Sequence, residues 1–195
     1  MTENSNPLGQ YYRQPQIYIK LPSGGRYYPK EVYTPTETGE IPILPMTAKD
    51  EMAFKTPDAM INGQSTVDVI KSCVPNLLDP WKMVNYDTDA VLLAIRIATY
   101  GETMDITFRV PGTEEDQQHS MNLPALLEDI GRLTIADSTT TSKGFKIDIQ
   151  PLDYKTLTKI QIARFEQQKM YGTIDSSSMT EEQKQTAFAK SFETL

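Results

Sequence analysis

The sequence predicts an α+β fold, with short antiparallel strands around a helical middle and a two-helix C-terminal extension. Three observations carry this. Met104, Ile106 and Phe108 alternate with Asp105, Thr107 and Arg109, the two-residue period of a half-buried strand. Between residues 47 and 101 the apolar residues recur at helical spacing instead. After Asp153 that spacing returns in a long, mostly polar stretch, and Thr180-Glu181-Glu182-Gln183 opens one more helix. The chain accordingly divides into an extended arm (1–16), an α+β domain (17–150) and a helical extension (151–195).

Asn, Ser, Gln and Pro dominate the arm. Ile17-Tyr18-Ile19 reads as a short strand, and Leu21–Arg26 as a turn in which Gly24 and Gly25 supply positive φ. Tyr27-Tyr28 and Val32-Tyr33 are short extended pieces broken by Pro29 and Pro35. Ile41–Pro45 alternates, but its prolines confine it to an edge strand or an irregular extended segment.

Thr47-Ala48-Lys49-Asp50 has the form of a capping box, with a helix through about Lys55. Pro57 can open another short helix. Ser65-Thr66-Val67-Asp68 reads as a second capping box. Behind it Val67, Ile70, Cys73 and Val74 share a face, and Pro75 ends the helix.

Asp87 or Asp89 is the expected cap of the strongest helix. Its apolar stripe is Val91, Leu92, Ile95 and Ala98, and its stop is Gly101. Leu92 and Ile95 are expected to be almost fully buried. A second short strand is expected near Ser120–Leu123, a helix from Pro124 to about Ile130, and a strand at Lys146–Ile149. Ser138–Ser142 is a low-complexity run. Asp153 is the expected cap of a helix carrying Leu157, Ile160, Ala163 or Arg164, and Met170. A linker is expected over Gly172–Ser178.

Composition narrows the function. Lys and Arg number 19 against 26 Asp and Glu, a net charge of −7. An acidic chain without a cationic run repels phosphate backbones, so nucleic acid is not an expected partner. Residues 1–16 lack the apolar core of a signal peptide. The longest apolar run, Ala90–Ile95, falls far short of the roughly 20 residues a bilayer requires, so membrane insertion is not expected. The single cysteine, Cys73, excludes an intramolecular disulfide and suits a reducing compartment.

No catalytic, cofactor or metal site is expected. One cysteine and one histidine cannot close a zinc site. His119 reads as a loop or hairpin residue, and Cys73 as a small buried hydrophobe. There is no Gly-x-Ser-x-Gly elbow, and Ser23-Gly24-Gly25-Arg26 lacks the lysine and following helix of a phosphate loop. Glu114-Glu115-Asp116 is the densest carboxylate group, and such a loop group is ordinarily a solvated face. A carboxylate hydrolase is the one enzymatic form the chain could take.

The aromatic residues point to protein surfaces, because tyrosine combines an apolar body with a polar tip. Of ten tyrosines, Tyr11, Tyr12, Tyr27 and Tyr28 are the candidate partner contacts, against the alternative that they pack the arm onto its own domain. Phe188 and Phe192, at i, i+4 on the last helix, are the other candidates, again against packing on the chain itself. Trp81 is expected to wedge between helices.

Several segments in order form a pattern. They are Leu21-Pro22-Ser23-Gly24-Gly25-Arg26-Tyr27-Tyr28, Gly39-Glu40-Ile41, Leu44–Glu51, Val69-Ile70 with Cys73-Val74, and Asp89 to Arg96 closing on Thr99-Tyr100-Gly101-Glu102. Over about residues 17–130 this set resembles the T4-type bacteriophage baseplate protein family, and past Ile130 the resemblance fades. Many members of the family it resembles carry a Cys-x-x-Cys-type knuckle in the hairpin after the Tyr-Gly stop. Phe108–Thr113 here holds no cysteine, so a plain turn must take its place. The resemblance implies a non-enzymatic role in building the baseplate hub of a contractile tail, in the cytoplasm of the infected host. It also implies other tail proteins as partners, no small-molecule substrate, and a place in the virion for some members. A tail-associated cell-wall hydrolase and an adaptor outside any phage are the alternatives.

Overall fold

Alternation decides where the first hairpin lies. In the computed structural model, which describes residues 12–29, 31–55, 63–110, 112, 116–133, 136–175, 180 and 183, β1 (Ile17–Lys20) pairs antiparallel with β2 (Glu40–Ile43). Ile19 stands opposite Ile41, and Ile17 opposite Ile43. Ile19, Ile41 and Ile43 are buried, while Tyr18 and Lys20 face outward. Pro42 is tolerated because each strand of a two-stranded sheet is an edge.

The capping box at α1 (Ala48–Phe54) forms as the sequence predicts. Thr47 accepts from the Asp50 amide, and the Asp50 carboxylate accepts from the Thr47 amide. The second expected capping box does not form. Helix α2 (Gln64–Cys73) begins one residue before Ser65, capped by Gly63 at φ 76°. Ser65 is therefore inside the first turn, buried, with its hydroxyl unpaired. Asp68 receives the Gln64 side chain instead, at 2.7 Å. The apolar face of α2 is as expected: Val67, Ile70, Cys73 and Val74 are fully buried.

A 3-10 turn over Pro80–Lys82 leads into α3 (Asn85–Tyr100). Neither Asp87 nor Asp89 caps α3. The N-cap is Val84, and Asp87 lies in the first turn, facing inward. The buried stripe consists of Ala90, Val91, Ala94, Ile95 and Ile97. Leu92, expected in the core, is only half-buried at its margin with Ala98. The stripe is rotated because Asp87 occupies the inward position four residues before Val91. Trp81 does not wedge between helices; it is half-buried and its ring stacks on Tyr154 at 5.7 Å.

The second hairpin pairs β3 (Thr103–Arg109) with β4 (Asp116–Asn122), from Thr103 opposite Asn122 to Arg109 opposite Asp116. Strand β4 is longer than expected and includes Asp116, read from the sequence as loop. The side chain of Asn122 then accepts from the Ala125 amide at 2.9 Å and starts α4 (Leu123–Gly131). The expected strand at Lys146 is present as β6 (Lys146–Asp148). Its partner β5 (Ser138–Thr140) comes from the run read only as low complexity. Helix α5 (Tyr154–Asp175) continues through Gly172, so no linker begins there. A helical glycine costs only about 1 kcal/mol relative to alanine.

The chain forms two compact units, Met1–Tyr154 and Lys155–Leu195. The core of the first joins β1, β2, α2 and α3 through Ile19, Ile41, Ile43, Ile70, Val91 and Ile95. The helix expected from Pro57 lies outside the described residues.

Candidate interaction surface

The turn after β1 is held by one buried carboxylate. Gly24 and Gly25 have φ of 63° and 77°, and a Cβ on Gly25 would stand 2.8 Å from the Tyr33 ring. Only glycine lets the chain fold this tightly there. The turn places Ser23 beneath the start of α3. Its amide donates to Asp87 Oδ1 at 2.8 Å and its hydroxyl donates to Asp87 Oδ2. The Tyr28 hydroxyl also donates to Asp87 Oδ2, at 2.5 Å, and accepts from the Val84 amide at 3.0 Å.

Tyr28 thus satisfies an amide at the N-terminus of a helix that lacks a side-chain cap of its own. Asp87 sits in the first turn, where the helix dipole favours negative charge. Burial pushes its carboxyl above the ordinary value, against the hydrogen bonds from Ser23 and Tyr28. Burial, and then the Asp87 charge, push Tyr28 far above the ordinary tyrosine range. With no solvent exposure, Asp87 joins two segments and cannot meet a substrate.

Tyr27 is placed differently from its neighbour. It is half-buried, its hydroxyl donates to Asp137 Oδ1 at 2.7 Å, and the Arg26 guanidinium lies 5.6 Å from its ring centre. Arg26 Nη1 is 3.2 Å from Asp137 Oδ2. The loop that Tyr28 ties to α3 is tied by Tyr27 and Arg26 to the segment entering β5.

Arg13 anchors the N-terminal segment. Its Nη1 donates to Pro45 O at 2.9 Å and lies 3.3 Å from Asp50 Oδ2, and its Nη2 donates to the Ser72 carbonyl. Burial pushes the Asp50 carboxyl up, but hydrogen bonds from Thr47 and Ser72 and the Arg13 charge outweigh it and hold the carboxyl below the ordinary value. Beside this cluster, burial and then Asp50 push the Cys73 thiol up to about 11, which leaves it protonated and unreactive. Tyr12, next to the anchor, is 58% exposed.

The sequence shows the Thr47–Asp50 capping box, but not its ties to Arg13 and Ser72 and not the cluster around Asp87. A signal existed for the second cluster: Asp87 is four residues before Val91 and eight before Ile95, on the apolar face of α3. Of the candidate partner contacts, Tyr12 is exposed and Tyr27 and Tyr28 are half-buried. Tyr11, Phe188 and Phe192 lie outside the described residues, as do Glu114 and Glu115. Among the described residues no His, Cys, Asp and Glu side chains gather as a metal-binding group, and no helix is long and apolar enough to cross a membrane.

No curated protein and no solved structure matches the chain. The family model described as T4 bacteriophage base plate protein matches residues 14–191. The match runs well past Ile130, where the resemblance was read as fading, and takes in β5, β6 and α5. Because it covers most of the sequence, from just before β1 almost to Leu195, the chain belongs to the T4 bacteriophage base plate protein family.

Proposed function

We propose that the protein is a non-enzymatic assembly factor or structural subunit of the baseplate hub. It works by docking to other baseplate and tail proteins in the cytoplasm of the infected host. Family membership over residues 14–191 is the observation that carries this reading. Two features support it. The best-organised carboxylate, Asp87, is sealed inside the fold, whereas the second and third hairpins carry apolar side chains in solvent: Phe108, Phe145 and Ile147 are 45%, 68% and 48% exposed. Apolar side chains held in solvent are available for burial against another protein.

Tyr11, Tyr12 and Tyr27 contribute to docking in this reading, with Phe188 and Phe192 as anchors of the last segment. Tyr28 offers only its ring, since its hydroxyl is committed to Asp87 and Val84. The test is mass spectrometry of purified tails, combined with complementation of a phage lacking the gene. A subunit is found in tails; an assembly factor is absent from them, yet baseplates fail without it. A chain lacking residues 179–195 should melt as the full chain does and fail to complement. Normal baseplates without the gene, or turnover of peptidoglycan by the purified protein, overturn the reading.

A further inference from the structure

Strand β1 pairs with β2 on one side only; among the described residues its other edge has no strand partner. A groove of about 370 Å³ is lined by all four residues of β1 and by none of β2. One wall is the strand itself, Ile17 to Lys20. The opposite side is formed by Ile97 from the last turn of α3 and by Pro124 and Leu127 of α4. The groove lining is predominantly apolar. Its charged residues are Glu102 and Glu128 against the single cation Lys20. Tyr18, in the strand wall, is 61% exposed.

A strand edge is a row of amide donors and carbonyl acceptors at fixed spacing, and the group that matches it is another extended backbone. Successive residues of an added strand point to opposite faces. One set of its side chains would therefore meet Ile97, Pro124 and Leu127. The alternate set would meet the rim, where two carboxylates outweigh one ammonium on a chain of net charge −7. We infer that the groove takes an extended segment of a partner protein, alternating apolar with basic side chains, as a third strand on β1. The inference rests on the docking reading above, and names the edge and the kind of segment it receives.

The test uses the full-length protein and a ten-residue peptide of alternating valine and lysine. Two further versions carry N-methyl groups, one on every valine and one on every lysine. An added strand turns only one of these sets of amides toward β1. One methylated peptide should therefore bind as the parent does and the other at least tenfold more weakly. Amide exchange of Ile17–Lys20 should slow at least tenfold at saturation. Leu127→Arg should weaken the parent peptide at least tenfold. Glu128→Lys, at the rim, should weaken it measurably even if the first variant folds poorly.

Equal binding by both methylated peptides overturns the inference, as does no binding at millimolar peptide. Unchanged binding to both variants does so too. Protection of Ile17–Lys20 that rises with protein concentration in the absence of peptide would assign the edge to a second copy, and also overturns it. Complementation separates the two proposals. If Glu128→Lys builds normal baseplates while the gene itself is required, the groove fails and the assembly role stands. If the gene is dispensable, the assembly role fails, and the peptide result still judges the groove.

Discussion

Residues 17–101 and residues 103–152 use the same elements, hairpins and helices, to opposite ends. In the first stretch the hairpin β1–β2 lies on α2 and α3, and nearly every buried apolar side chain belongs to it, from Ile19 to Ile97. In the second stretch Leu123 alone among the described apolar residues is buried, while Phe108, Leu133, Phe145, Ile147, Ile149 and Leu152 are exposed. A two-stranded hairpin has marginal stability unless a face is covered. The first region covers its own faces and so specifies the fold; the second leaves them open, which suits contact with other proteins. The second stretch is poorer in apolar residues, and many of the large ones it has are placed in solvent.

The sharpest way to break this comparison is to cut into the first region. Ile95 is 2% exposed within the core, and Ile95→Ala should cost about 2–5 kcal/mol through lost burial and a cavity. Leu92→Ala, three residues earlier but only half-buried, should cost clearly less. Urea unfolding of both variants checks the order. Equal losses would place the centre of α3 elsewhere on its circumference.

A smaller effect is expected at the turn that feeds the core. Gly25→Ala combines a φ of 77° with a Cβ 2.8 Å from the Tyr33 ring. Strain of this kind costs on the order of 1–3 kcal/mol. Gly24→Ala, with a similar φ but open space around its Cβ, should cost less. If the two variants melt together, the Tyr33 ring moves aside and the close approach does not constrain the turn.

How much was legible in the sequence follows the same division. The capping box at Thr47–Asp50, the inward face of α2 and the β1 strand were readable because local chemistry and burial agree there. The cap of α3 was misassigned because Asp87 has the residue type of a cap and the position of a core residue. Its partners, Ser23 and Tyr28, are 64 and 59 residues away, beyond any local pattern. Strand β5 was missed because Ser138–Thr140 has no apolar alternation. Its pairing depends on Lys146–Asp148, not on a buried face. The same long separation hides the groove beside β1, whose far side comes from α4.

Two carboxyls should give stability opposite dependences on pH. Asp87 has a folded pKa above 3.8, chiefly from burial. The native state therefore holds its proton more tightly than the unfolded chain, and stability from this group falls as pH rises from about 3.8 through the folded value. Asp50 has a folded pKa below 3.8, because Thr47, Ser72 and Arg13 outweigh burial. Its contribution is complete above the unfolded pKa and is lost as pH falls through the folded value. The melting difference between wild type and Asp87→Asn should thus move in favour of wild type on acidification. The difference between wild type and Asp50→Asn should move against it. The same direction in both pairs would show that one of the two clusters is not formed in solution.

The smallest effect on stability is expected where the comparison predicts the largest effect on binding. Phe145 and Ile147 are 68% and 48% exposed on the third hairpin, and neither belongs to the core. Replacing both by serine removes apolar surface that is already largely in water, so unfolding should shift by no more than about 0.5 kcal/mol. Asp137 still holds the hairpin base, accepting from Tyr27 and from the Ile149 amide at 2.8 Å. What the double variant should lose is association with purified baseplate components, measured by co-sedimentation against wild type. A variant that melts several degrees lower would mean that these side chains are covered within the chain itself. One that melts and co-sediments as wild type does would leave the third hairpin without a role in docking, and would move the contact surface to the β1 edge and the N-terminal segment.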